Sequence, residues 1–212
     1  DWLRERGATI ETLRIDLEEP EVDPTDYDLI VSLGSEFAAF DDHLPFVLRE
    51  AELMRDALDA DVPILGLCFG GQMLARVLGA EVSRSERSEI GWLPVRSKDP
   101  ELVPEGPWFQ WHFDVFSAPP GAEVIAESDL CPQAFVRGRS LGLQFHPEVK
   151  HTEHGRSRSV ISAIASDRPR ERSGGAFIMW KASRCALRGP MRRRNRRARA
   201  AERAGPRVRA AC

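Results

Sequence analysis

Apolar positions along this chain follow two different periods. In the first eighty residues, short apolar runs alternate with helical spacing. The segment "TIETLRIDL" (8–16) reads as a strand, and Pro20 and Pro24 then mark a loop. "YDLIVSLG" (27–34) and "VPILGL" (62–67) are uninterrupted apolar runs, the pattern of strands covered on both faces. Between them Leu44, Val47, Leu48, Ala51, Met54 and Leu58 recur at the spacing of one helix face. After the second run "GGQMLARVLGA" predicts a helix that Gly79 stops, and "DWLRERGA" at the start resembles a helix end closed by Gly7. Alternating strand and helix predicts βαβ units and a mostly parallel sheet.

Beyond Ala80 the period shortens. "EIGWLPV", "PWFQWHFDVF", "AEVIAE", "QAFVRG" and "SLGLQFH" are strand-like and separated by Pro and Gly turns, which predicts a smaller antiparallel portion. After about His154 no period persists, and the end is rich in Arg, Ala, Gly and Pro with few large apolar residues.

Charge sharpens that boundary. Residues 1–150 hold 13 Lys/Arg against 29 Asp/Glu, whereas 151–212 hold 17 against 4. The expected organisation is therefore one α/β domain over 1–154 and a basic Arg/Ala/Gly/Pro-rich tail over 155–212, disordered or non-homologous. Such a tail is also what a GC-rich gene read in a shifted frame would give. The four cysteines form no CxxC pair, and no apolar run nears the ~18 residues of a membrane span. A reducing, cytoplasmic setting is the expectation. The chain opens on Asp1, which suggests a processed or truncated start.

The chemistry centres on "ILGLCFGGQ" (64–72). Gly66-Leu67-Cys68-Phe69-Gly70 has the form of a strand–turn–helix elbow with cysteine as the nucleophile. The glycines suit a turn where backbones come close, and the helix start beyond Cys68 favours a thiolate. On the elbow alone a buried structural thiol is a real alternative. A nucleophile needs a base and the base an orienting group, and Phe145-His146-Pro147-Glu148 offers both.

Together, G-x-C-x-G-x-Q at Gly66–Gln72 and the later H-P-E at His146–Glu148 resemble the class I (triad) glutamine amidotransferases. "VSLGSEFAAFDD" (31–42) is similar to the family's oxyanion loop. "SEIGWLPV" and "WHFDVFSAPPGAEVIAESD" are similar to the branch related to the glutaminase domain of GMP synthase. The resemblance covers about residues 8–150 and implies a flavodoxin-like α/β fold. It implies Cys68 as nucleophile, His146 as base and Glu148 as its orienting partner. Oxyanion donors would be the N–H groups of Gly34 and Phe69, and Gln72 would hold substrate. His112 and Asp114 match the family's H-x-D element, with Asp114 the candidate for a substrate contact. Two departures stand out: Ser35-Glu36 follows Gly34 where a Pro is more usual, and the family's first strand, which precedes "DWLRERGA", is not in this sequence.

Glutamine is then the substrate, ammonia the product, and a synthetase the partner, with no cofactor. His146, His151, His154, Glu148 and Glu153 could be drawn as a metal cluster, but the resemblance accounts for His146 and Glu148, and no metal is expected. Two rival readings remain. The same triad supports hydrolysis of a γ-glutamyl amide or peptide. The tail could bind nucleic acid through "RRRNRRARAAERAGPRVR", although no aromatic platform interleaves with it.

Overall fold

The computed structural model describes residues 8–17, 21–149, 176–180 and 209–210. In chain order the strands are β1 (Thr9–Leu13), β2 (Leu29–Ser32), β3 (Ile64–Leu67), β4 (Val82–Ser97), β5 (Gly106–Phe116), β6 (Glu123–Glu127), β7 (Pro132–Arg137), β8 (Ser140–Leu143), β9 (Ala176–Trp180) and β10 (Arg209–Ala210). Helix α1 (Pro45–Asp59) joins β2 to β3, and α2 (Phe69–Val77) follows β3 at once. The strand order is β1-β10-β9-β2-β3-β8-β7-β6-β4-β5. Pairing is parallel from β1 to β8 and antiparallel from β8 onward. This is the α/β sheet the alternation predicted.

The apolar runs form central strands because both their faces are covered. Ile30 and Ile64 point to one side, where Val47, Met54 and Ala57 of α1 and Met73 and Leu74 of α2 close over them. Leu29, Val31, Leu65 and Leu67 point to the other, against Leu141, Leu143, Trp108 and Phe145. A strand in this position has no polar face, which explains its unbroken hydrophobicity. Helix α1 starts on Pro45, whose missing N–H costs nothing at a first turn, and α2 ends before Gly79 at φ 92°. The helix end predicted at "DWLRERGA" lies outside the described residues.

The antiparallel side departs from the expected short strands. β4 runs for 16 residues because the polar stretch Ser83–Ser88 continues the hairpin with β5 past a bulge between Arg84 and Glu89. Its side chains there are mostly exposed, so no apolar alternation announced it. β9 inserts in parallel between β1 and β2. Apart from β9 and β10, the expected basic tail lies outside the described residues.

Candidate active site

Cys68 stands between the last residue of β3 and the first of α2, with φ 53° and ψ −108°. A side chain rarely adopts that conformation, so the surrounding packing must impose it. The glycines show how. A Cβ on Gly66 would strike the Gly70 carbonyl, and one on Gly70 would strike the backbone and hydroxyl of Ser32. β3, α2 and the end of β2 thus meet backbone to backbone, and the turn between them is forced. The thiol is 5% exposed, and its Sγ lies 3.8 Å from the Trp111 carbonyl.

His146 arrives from the other direction. β8 lies beside β3, and the chain leaves it through Gln144 and Phe145. The His146 N–H donates to the Phe109 carbonyl at 2.8 Å, and the Phe109 ring packs edge-on to the imidazole. Nδ1 lies 2.7 Å from Glu148 Oε1. Burial pulls the imidazole towards neutrality. Hydrogen bonding and charge from Cys68 and Glu148 outweigh it and hold His146 up at about 10. The base is therefore kept protonated near neutral pH, beside the sulfur it would serve.

Gly34 closes the third side. A Cβ there would sit 3.1 Å from His146 Cε1 and 3.7 Å from the Cys68 Cβ. A side chain there would crowd the imidazole unless the ring gave way by a few tenths of an ångström. The Phe69 N–H opens α2 and belongs to the unpaired donors of a helix start. Residues 34, 68–69 and 146–148, distant in sequence, thus converge on one spot. Glu36, in the departure from the usual loop, lies just beyond Gly34 in the chain.

Gln72 and Asp114 belong to the wall of the site. Gln72 is 3% exposed, and its amide donates to the Asp114 carbonyl at 2.9 Å and to Gln144 Oε1 at 3.4 Å. It ties α2 to β5 and β8. The Asp114 carboxyl is 3.4 Å from Arg84, and burial raises its pKa despite that neighbour. His151, His154 and Glu153 lie outside the described residues.

Three contributors escaped the sequence reading. Trp111 and Phe109 serve through backbone carbonyls, which no residue type advertises. Glu50, 1% exposed inside the apolar stripe of α1, accepts the Ser32 hydroxyl two residues before Gly34. A lone Glu on a helix face otherwise apolar was the available signal.

The chain is similar to several known proteins. A family model, glutamine amidotransferase class-I, matches residues 1–160. A glutamine-hydrolysing GMP synthase from Aeropyrum pernix is 39% identical over 135 residues, which is 57% of this chain and 26% of that one. One of the subunits of the glutamine-hydrolysing GMP synthase of Thermococcus kodakarensis is 38% identical over 104 residues, 45% of this chain and 55% of that one. The chain thus spans about half or less of these two relatives. A crystal structure of a glutamine amidotransferase from Methylobacillus flagellatus matches with a TM-score of 0.67 and 34% identity, covering 71% of this chain and 64% of that one. The chain belongs to the class-I glutamine amidotransferase family.

Proposed function

We propose that this chain hydrolyses the side-chain amide of glutamine and releases ammonia for a synthetase partner. The convergence of Gly34, Cys68 and the His146–Glu148 pair carries the reading. Sulfur of Cys68 attacks the amide carbon, and the carbonyl electrons move onto oxygen. The N–H groups of Gly34 and Phe69 receive that oxyanion. His146 gives its proton to the amide nitrogen, the C–N bond breaks, and ammonia leaves behind a γ-glutamyl thioester. The imidazole then takes a proton from water as it attacks the thioester, and returns that proton to the departing sulfur. Glu148 keeps the ring oriented and stabilises its charged form. Gln72 holds the Asp114 backbone, and Asp114 offers an anionic contact for the substrate amino group.

The partner is inferred from likeness. The Thermococcus kodakarensis relative is named as one subunit of a GMP synthase, and a synthetase that takes up ammonia is the corresponding partner here. The test is a glutaminase assay of the parent beside Cys68→Ala, with and without a synthetase. Glutamate and ammonia from the parent and not from the variant support the reading. A folded parent that neither turns over glutamine nor traps a glutamine-derived electrophile on Cys68, even with the synthetase, overturns it.

A further inference from the structure

Behind the strand that walls the site lies a buried polar cluster that amide hydrolysis does not use. Glu89 on β4 and His112 on β5 face each other in the hairpin register. Cys131 joins them from the turn before β7, and one ligand atom from each lies within 4.8 Å of the others. The three are 9%, 2% and 8% exposed.

The His112 ring decides what this cluster lacks. Nδ1 is 3.0 Å from the Asp114 carbonyl, which can only accept, so Nδ1 carries a proton. On a neutral ring Nε2 then presents a lone pair, and its neighbour at 3.0 Å is the Glu89 carboxylate. Two electron-rich atoms this close need a cation. A proton on Nε2 would join them as an ion pair, but the two atoms stand at 3.0 Å without an aligned hydrogen bond between them. A metal ion bound off the N···O line, towards the sulfur, meets both lone pairs at once.

The surroundings fit that occupant. A ring N–H held by a backbone carbonyl is how a metal-binding histidine is commonly fixed in one tautomer. Gln133 directs its amide nitrogen at Glu89 Oε2 (2.7 Å) and at Cys131 Sγ (3.3 Å), the outer hydrogen bonds that ligating carboxylates and thiolates receive. Sulfur, nitrogen and carboxylate oxygen together suit zinc-like ions and not magnesium or calcium.

We propose that Glu89, His112 and Cys131 bind one divalent transition-metal ion of the zinc class, with the Cys131 proton released to solvent on binding. The ion would pin β4, β5 and the β6–β7 turn together. Its ligand His112 also touches the carbonyl that Gln72 holds, so the metal would stiffen the wall behind the elbow. The test does not depend on amide turnover and reads the metal itself.

Cobalt(II) is titrated into the full-length chain carrying Cys68→Ser, Cys185→Ser and Cys212→Ser, which removes the competing catalytic thiol and leaves Cys131 as the sole cysteine. The expected result is one ion per chain, with a sulfur-to-cobalt charge-transfer band that zinc abolishes by displacement. Adding His112→Gln, or separately Glu89→Gln, weakens binding by at least about tenfold. A cobalt spectrum without sulfur ligation, no stoichiometric binding, or an affinity that neither substitution changes overturns the proposal.

Discussion

On the parallel side of the sheet, the turn between β3 and α2 is held by main chain against main chain. Gly66, Gly70 and Ser32 leave no room for side chains between them. On the antiparallel side, β4, β5 and β7 are held by side chains: Gln133 bonds to Gln110 and Glu89 in the interior, and His112 stands 3.0 Å from Glu89. The first arrangement fixes where Cys68 stands. The second ties the strands behind it. Substitutions on the two sides should therefore fail in different ways.

The largest contrast is Cys68→Ala. Glutamine turnover should fall roughly 10⁴-fold or more with the fold kept, because alanine tolerates the same turn about as well as cysteine. Gly70→Ala comes next. Its methyl group has nowhere to go against Ser32, so denaturant titration should show a loss of about 3 kcal/mol or more, and activity should vanish with the fold. A mutant as stable as the parent would break the claim that the elbow is backbone-limited.

Glu148→Gln tests the base. Steady-state turnover should drop roughly 10²–10³-fold, since glutamine cannot stabilise the imidazolium. Stability adds a pH signature. His146 binds its proton more tightly in the fold, at about 10, than at its ordinary 6.5. That contribution is complete below pH 6.5 and is lost as pH rises towards 10. The parent's melting temperature should fall more steeply across that window than the mutant's.

Gln133→Leu should act on the other side. It removes the amide that bonds Glu89 and Gln110, leaving buried polar atoms short of partners. A loss of about 2 kcal/mol in chemical denaturation is expected, with a rate loss for the folded enzyme far smaller than for Glu148→Gln. A rate loss equal to that of Glu148→Gln would erase the division between the two sides.

The same division governs what could be read from the sequence. The parallel side was legible because its constraints are local. A buried central strand must be apolar throughout, a crowded turn must be glycine, and Cys68 stands between them. The contact between His146 and Glu148 was legible because the two stand two positions apart. The antiparallel network was not. Glu89, His112 and Cys131 come from three segments that only strand pairing unites, and each looks ordinary where it stands. The long polar start of β4 also hid, since an exposed hairpin needs no alternation. Gln72 and Asp114 were found by motif, but their mutual bond, through a backbone carbonyl, has no sequence signature.

The conformation of Cys68 has one more consequence. At φ 53°, glycine would rest more comfortably than cysteine by roughly 1 kcal/mol. Selection for folding alone would therefore erase the sulfur. Under the proposed chemistry, a lineage that stops hydrolysing glutamine should lose the thiol at this position early and gain stability as it does so. The cysteine at this strained turn would then be a record of use, written against the preference of the fold.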